Sequence, residues 1–407
     1  MIKHLLLLLS LSATLASFSQ GQADWWYFGN NAGIHFETGG PVAVNDGQLS
    51  TSEGCASLSD QAGNLLFYTD GLTAYDRTHT VMPNGTGLLG NGSSTHSAII
   101  VPRPGSNTDF YIFTVDQGGT SGQGMHYSKV DITLNSGNGD VVTSEKNVFL
   151  VDDTSEKVAA VKKSNGYWII THLAETNQFY TYEVTSSGVN TTPLISNTAW
   201  NVAGFGYGLA VSSTGNKLAG VFFSSDSIHV FDVNISTGEV TANYKIGSTI
   251  SSSTMYGLEF SPNAEVLYMQ AYNAGDVRQF DLSLGNSAAI SASELIVGAS
   301  SSGGGQLQTG RDGKIYCARQ GTTRLSVINE PDMLGSACDW QDTAVVLTSG
   351  CVWGLPTFIQ SFFNASFEVE NFCLGVETEF SMDTAGVDSV LWNFGEPSSG
   401  SNNTSSL

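Results

Sequence analysis

Polar and aromatic side chains recur along the chain at similar intervals, each directly ahead of a short apolar segment. The first set consists of Glu53, His96, Lys157, Tyr207, Tyr256 and Trp353, with Gly305 in the remaining position. The second set follows the next apolar segment of each repeat and consists of Asn30, Asp70, Asp116, His172, Asp226, Tyr272 and Arg319. If the repeats surround an axis, both sets reach one surface, where aromatic rings with carboxylates and amides suit sugar rings or peptide side chains.

Three interpretations of these residues stay open. We predict a ligand-binding ring without catalytic residues, whose partner is an extracellular glycan or a surface protein. The first alternative is a carbohydrate-active enzyme, a glycosidase or lyase, because Glu53 with Asp70 or Asp116 would supply the two carboxylates that glycoside hydrolysis needs. The second alternative is a structural spacer, in which each side chain only caps a turn or packs against its neighbour.

The spacing of the repeats predicts the architecture. The clearest copies, 207–218 and 256–267, start 49 residues apart, and successive intervals range from 43 to 61 residues. A period of this length with several strands per repeat is typical of an all-β fold, the β-propeller. We predict seven blades, with six as the alternative, and an inserted loop near 118–125 in the longest interval.

One repeat is split between the two ends of the chain. Residues 353–359 supply a first strand with no second strand after it, whereas 25–28 and 33–36 supply later strands with no first strand before them. Joining both ends in one blade closes the ring and leaves no open sheet edge. The second strands, such as 65–68 and 110–113, are continuous apolar runs, which predicts burial of both faces between stacked blades.

Composition and motif content exclude several classes of function. The chain has 37 acidic and 15 basic residues, and its net charge of −22 disfavours nucleic acid and anionic membranes as partners. Spacings such as His-x-His, His-Glu-x-x-His and Cys-x-x-Cys are absent, so we predict neither a metal site nor a cofactor. A nucleophile elbow, a P-loop and a dinucleotide-binding fingerprint are also absent from fitting contexts.

The first residues of the chain predict export. A charged start at 1–4, an apolar run from Leu5 and small residues up to Phe18 are typical of a secretory signal peptide, which we predict to span 1–19. No later apolar run reaches the roughly 20 residues of a transmembrane helix. The predicted location is therefore secreted or at the outer cell surface. Cys338 and Cys351 form a candidate disulfide in such a protein.

The repeat pattern stops after Phe362, and we predict a second, incomplete domain there. The segment Trp392-Asn-Phe-Gly-Glu396 resembles the Trp-Asp-Phe-Gly-Asp motif of a PKD domain, an immunoglobulin-like β-sandwich, although both acidic positions differ. The predicted organisation is a signal peptide at 1–19, a propeller at 20–363 and a partial PKD domain at 364–407. The last segment has about half the residues that such a sandwich needs.

This combination resembles exported, many-domain surface proteins of the Bacteroidota. Members of that class carry an N-terminal propeller, PKD repeats and a C-terminal gliding-motility or type IX secretion sorting domain. The resemblance rests on 26–29 with 33–36, on 65–71, on 354–356 and on the PKD motif. It implies a secreted or cell-surface module of a larger protein and suggests adhesion or glycan binding.

Overall fold

Short apolar segments separated by tight turns pair with their sequence neighbours from one end of the chain to the other. The computed structural model describes residues 21–118, 122–202, 204, 206–222, 225, 227–250, 254–363, 367–370 and 379–382. Within them, seven antiparallel sheets follow one another as the blades of a β-propeller. The predicted seven-bladed fold is therefore confirmed.

The strands of the first half of the chain form four blades. Blade 7 contains β1 (Trp25–Phe28), β2 (Ala32–Glu37) and β3 (Gly40–Val44). Blade 1 contains β4 (Ala56–Ser59), β5 (Leu65–Thr69), β6 (Thr73–Asp76) and β7 (Val81–Thr86). Blade 2 contains β8 (Ala98–Pro102), β9 (Asp109–Val115), β10 (Met125–Asp131), β11 (Asp140–Val141) and β12 (Val148–Val151). Blade 3 contains β13 (Thr154–Lys163), β14 (Gly166–Leu173), β15 (Gln178–Thr185), β16 (Gly188–Val189) and β17 (Leu194–Asn197).

The second half of the chain forms three blades and a separate hairpin. Blade 4 contains β18 (Leu209–Val211), β19 (Lys217–Gly220), β20 (Ser227–Val233) and β21 (Val240–Gly247). Blade 5 contains β22 (Met255–Phe260), β23 (Val266–Ala271), β24 (Asp276–Asp281) and β25 (Leu295–Ala299). Blade 6 contains β26 (Gly304–Thr309), β27 (Ile315–Arg319), β28 (Thr322–Ile328) and β29 (Trp340–Cys351), and the hairpin contains β30 (Phe367–Glu370) and β31 (Glu379–Met382).

Helical structure is confined to short connections. The α-helical segments are α1 (Leu134–Gly137) and α2 (Ser287–Ala292), and the 3-10 helices are Gly21–Ala23, Thr143–Glu145, Leu282–Leu284, Gly335–Cys338 and Gln360–Phe363. The extra length of blade 2 lies partly in the predicted loop after β9 and partly in the connection between β10 and β12. None of the helices in the described part of the chain is long and apolar enough to cross a membrane.

Burial decreases from the inner strands to the outer strands of each blade. Every residue of β4, β22 and β23 is buried, whereas β21 at the rim mixes buried and exposed residues. This gradient is the one that the continuous apolar runs predict, because inner strands are covered by neighbouring blades on both faces.

Backbone hydrogen bonds join the seven blades into a complete circle at the end where the inner strands start. Each bond links one blade to the next, with N···O distances of 2.7–3.3 Å. The bonds are Gly54 N to Ser94 O, His96 N to Glu156 O, Gly206 N to Ser155 O, Gly208 N to Tyr256 O, Gly304 N to Tyr272 O, Gln306 N to Trp353 O and Trp353 N to Ser52 O. The chain must therefore bring backbone against backbone at this end of the axis.

The closing segment, residues 353–359, occupies the innermost position between blades 6 and 1. It differs from the prediction in one respect, because it is not a regular fourth strand of blade 7. Its hydrogen bonds go to both flanking blades, and Pro356 makes a parallel bridge with Cys55. Proline has no N–H to donate to a strand ladder, which explains the irregularity. The ends still meet in one core, since Phe358 packs 5.7 Å from Trp26 between ring centroids.

The candidate disulfide between Cys338 and Cys351 is wrong, because both are free thiols. The twelve-residue strand β29 runs between them. A strand of that length separates its ends by about 30 Å or more, far beyond the reach of a disulfide.

The described residues include only part of the two chain termini. Strands β30 and β31 pair antiparallel within the range predicted as a partial PKD domain, and this pairing does not identify the domain. The motif at Trp392 and the signal peptide at 1–19 lie outside the described residues, so both stay predictions.

Crowding at the axis yields a test of the closure. A Cβ atom on Gly354 would overlap the backbone of Glu53 in the next blade. We expect Gly354→Ala to lower the free energy of unfolding by about 3 kcal/mol, as overpacked sites do. Urea denaturation measures this loss. Gly39→Ala is the control, because no atom lies within 4 Å of its Cβ position, and equal stability of the two variants would contradict the close approach.

Candidate functional site

The inner strands all start at the same end of the propeller, and the residues just ahead of them form a mouth. Two residues of this mouth have strained backbone conformations. Glu156 and Tyr207 have positive φ angles of 63° and 72°, in the left-handed region that non-glycine residues seldom adopt. Such conformations cost about 1–3 kcal/mol each and persist only where the surroundings hold them in place.

Four aromatic rings form a continuous strip across three blades of the mouth. Tyr207 meets Tyr256 at a centroid distance of 5.4 Å, Tyr256 meets Tyr272 at 5.8 Å, and Tyr272 meets Trp353 at 5.5 Å. Tyr256 is buried, whereas the other three side chains are partly exposed. The structure therefore brings four of the predicted residues together as one wall, which we call the aromatic strip.

A protonated carboxyl group lies beside this strip. The Tyr256 hydroxyl donates a hydrogen bond of 3.0 Å to Oε1 of Glu53. Glu53 precedes blade 1, which lies across the propeller axis from blade 5 and its Tyr256. Burial raises the pKa of Glu53 to about 8, and the nearby charge of Glu156 adds to the rise, while the Tyr256 hydrogen bond opposes it. Glu53 is thus largely neutral at pH 7 and is able to donate as well as accept a hydrogen bond.

Thr95 connects blades across the axis beneath the mouth. Its N–H and its hydroxyl donate to Oε2 of Glu156 at 3.1 and 2.9 Å. Its hydroxyl also accepts the Tyr207 N–H at 2.9 Å, and its carbonyl accepts Nε2 of Gln306 at 2.9 Å. These four bonds link blades 2, 3, 4 and 6, and they fix the strained backbone of Glu156 and Tyr207.

Glu156 is a buried carboxyl that the fold itself uses. Besides the two bonds from Thr95, its Oε1 accepts the N–H of Gly118 at 3.2 Å. Burial raises the pKa of Glu156, against the opposing effects of the Lys157 charge and the Thr95 hydrogen bonds.

Three predicted residues of the ring are buried in supporting roles. His96 donates from Nδ1 to Val158 O and accepts the Leu209 N–H at Nε2, and its burial lowers the pKa to about 4. His172 bonds to Ser155 and Thr176, and burial lowers its pKa to about 3.

Lys157 is the third, and it is fully buried. Its ammonium donates to the carbonyl of Gly206 and lies 4.6 Å from the centre of the Phe222 ring. Burial lowers the pKa of Lys157 to about 7. Because Gly206 precedes Tyr207, Lys157 supports the backbone that carries one end of the aromatic strip.

Two members of the second predicted set, Asp70 and Asp116, cap turns. Asp70 accepts the N–H groups of Leu72 and Thr73, and Asp116 accepts those of Gln117 and Gln123. Asn30 bridges the backbones of Ser50 and Gly350 at the surface, and Arg319 binds Ser300, Ser301 and Asp342 from a buried position. Asp226 lies outside the described residues. Of this set, only Tyr272 joins the aromatic strip.

The axis behind the mouth is nearly filled. A cavity of about 30 Å³ remains there, with His96, Glu259, Gln306 and Phe358 among its lining residues. That volume holds only one or two water molecules. The described side chains therefore leave little open space at this point of the axis.

Sequence reasoning missed Thr95, Glu156 and Gln306. Each lies within one residue of an aligned strand start, so it belongs to the predicted ring in sequence but points to the other side of the strand. The described residues contain no group of three or more His, Cys, Asp or Glu side chains that could hold a metal ion.

Comparison with known proteins places the fold but not the activity. No protein-family model and no curated protein matches the chain. A putative 6-phosphogluconolactonase from Bacteroides fragilis is similar in structure at 13% identity, with 84% of this chain and 98% of that chain covered and a TM-score of 0.50. A protein from Lactobacillus plantarum (13%, 83% and 97%, TM-score 0.47) and a periplasmic gluconolactonase from Pseudomonas aeruginosa (14%, 68% and 79%, TM-score 0.43) are more distant in structure. At this identity the likeness shows the propeller fold alone.

The raised pKa of Glu53 predicts a pH dependence of stability. Between its ordinary pKa of 4.5 and about 8, the folded protein holds a proton that the unfolded chain has released. The free energy of unfolding must therefore fall as pH rises through this window. We expect Glu53→Gln, which cannot ionise, to gain about 4 kcal/mol over the wild type between pH 5 and pH 9.

Urea denaturation at several pH values measures this difference. The control is Glu239→Gln, which changes an exposed carboxylate at the rim of blade 4. Parallel pH profiles of wild type and Glu53→Gln would show that Glu53 titrates normally in the folded protein.

Proposed function

We propose that the mouth binds a carbohydrate, with sugar rings stacked on the aromatic strip. The observation that carries this proposal is the alignment of Tyr207, Tyr272 and Trp353 as partly exposed rings around the buried Tyr256. The apolar faces of sugar rings pack well on such surfaces.

Polar groups beside the strip supply hydrogen bonds for sugar hydroxyls. Neutral Glu53 offers both a donor and an acceptor. The indole N–H of Trp353 is buried without a hydrogen-bond partner. An unpaired buried donor costs about 1–3 kcal/mol, and a ligand oxygen would remove that cost.

Hydrolysis of a sugar derivative is the second candidate function. Glu53 is protonated at neutral pH next to a second carboxyl, Glu156, and this is the arrangement in which one acid gives a proton to a leaving oxygen while water adds to the carbon. The similar Bacteroides fragilis protein is described as a putative 6-phosphogluconolactonase. Binding remains the stronger proposal, because Glu156 is buried and already accepts three hydrogen bonds.

In the larger protein, we propose that the propeller is an exported binding and adhesion module. This extends the predicted signal peptide at 1–19 and the partial PKD domain at 364–407 to a cell-surface role. A purely structural spacer is the remaining alternative, favoured by the filled axis.

Substitutions that remove single aromatic rings from the strip test the binding proposal. A glycan array with the wild type identifies a ligand, and calorimetry then measures its Kd. We expect Tyr272→Ala and Trp353→Ala each to raise Kd about tenfold, which corresponds to about 1.4 kcal/mol. Tyr244→Ala is the control, because Tyr244 is a partly exposed ring on the rim strand β21, away from the mouth. Unchanged binding by both mouth variants, with melting temperatures preserved, would exclude the strip as the binding surface.

Glu53→Gln separates the two candidate functions. If the mouth is catalytic, turnover of chromogenic glycosides or lactones falls about 100-fold or more in this variant while ligand binding persists. If the mouth only binds, the wild type shows no turnover of these substrates and the variant changes Kd alone.

A further inference from the structure

The face opposite the mouth carries a groove, formed where the inner strands of blades 1–3 turn back. Two adjoining cavities of about 590 and 620 Å³ share Pro104, Gly105, Lys162 and Tyr167 in their walls. We call this combined depression the turn-face groove. It is far larger than the cavity on the axis, and nothing in the proposed function uses it.

Both ends of the propeller reach this groove. Gln22 at the start of the described chain and Ser361 and Phe362 at the end of the closing segment line its first cavity. The 3-10 helix Gln360–Phe363 is the last element of the propeller, and residues 364–407 come after it. The last described element of the propeller therefore lies at the groove.

Basic residues are concentrated at the groove in a chain that has few of them. Arg103, Lys162 and Lys163 line it, out of only 15 basic residues in 407, and Asp60 is its one acidic lining residue. Arg103 pairs with Asp109, and Lys163 pairs with Glu183. Lys162 is exposed and projects from the same turn.

The segment that leaves the groove has the complementary charge. Residues 364–407 contain seven acidic residues and no lysine, arginine or histidine. Strand β30 starts four residues after Phe363 and includes Glu368 and Glu370. Four extended residues span about 13 Å, so these carboxylates begin within reach of the groove that holds Phe362.

We propose that the acidic segment 364–407 docks in the turn-face groove of its own propeller, with Glu368 and Glu370 facing Lys162. The tether favours this occupant over a second copy or a separate acidic protein, because short linkers give effective concentrations in the millimolar range. Phe110, Ile132 and Phe362 offer apolar surface for the alternating residues of β30. The groove is thus an interface between the propeller and its own C-terminal segment.

Lysine footprinting of the full chain tests the docking. We expect limiting acetylation to modify Lys162 about tenfold more slowly in the wild type than in Glu368→Gln/Glu370→Gln, as for a group that is covered about nine-tenths of the time. Lys245 on the rim of blade 4 is the internal reference and reacts equally in both proteins. High salt, about 1 M, speeds the reaction of Lys162 in the wild type.

The matched control variant is Glu239→Gln/Glu265→Gln, which removes two exposed carboxylates from blades 4 and 5 and leaves the Lys162 rate unchanged. Carbodiimide cross-linking of a mixture of normal and isotope-labelled chains identifies the occupant. Cross-links between Lys162 and residues 364–407 within one chain support the proposal. Cross-links that join a normal chain to an isotope-labelled chain would show that a second copy occupies the groove. Equal acetylation rates of Lys162 in the wild type and in Glu368→Gln/Glu370→Gln would show that residues 364–407 do not cover the groove. Either result overturns the proposal.

Discussion

The close approach of seven inner strands at one end of the axis is the constraint on which the rest of the structure depends. At this end, residues of successive blades bond backbone to backbone in a complete circle. Side chains have no room at several of these points; a Cβ on Gly208, for example, would lie 2.8 Å from the Tyr256 carbonyl oxygen. The neighbouring side chains are therefore forced either outward to the mouth or inward to the axis.

Whether a side chain points outward to the mouth or inward to the axis explains the chemistry of the mouth. Tyr207, Tyr272 and Trp353 turn outward and form a wall, whereas Thr95 and Gln306 turn inward and bond across the axis. Two carboxyls, Glu53 and Glu156, are held in the crowded layer between them, where burial favours their neutral forms. The strained φ angles of Glu156 and Tyr207 occur at this boundary. The packing that closes the ring of blades therefore also positions the residues of the site.

The strands and the number of blades could be predicted because apolar runs and turn residues repeat with the blade, and burial follows them closely. The closing segment was harder, since Pro356 breaks the ladder that its apolar pattern suggests. Site residues were hardest, because a shift of one residue reverses the side of a strand. His96 and Lys157 are buried, while their predecessors Thr95 and Glu156 organise the mouth. The spacing of the repeats locates this ring of residues in the sequence. It does not show which of two neighbouring residues faces the mouth.

The direction of the closing segment separates the two faces of the propeller. Its bridge to Cys55 is parallel, so it runs from the mouth to the turn face as the inner strands do. At the start of the described chain, the Gly21 N–H bonds to the Gln61 carbonyl in a turn on the same face. The described propeller therefore begins and ends at the turn face, whereas the aromatic strip lies at the opposite face.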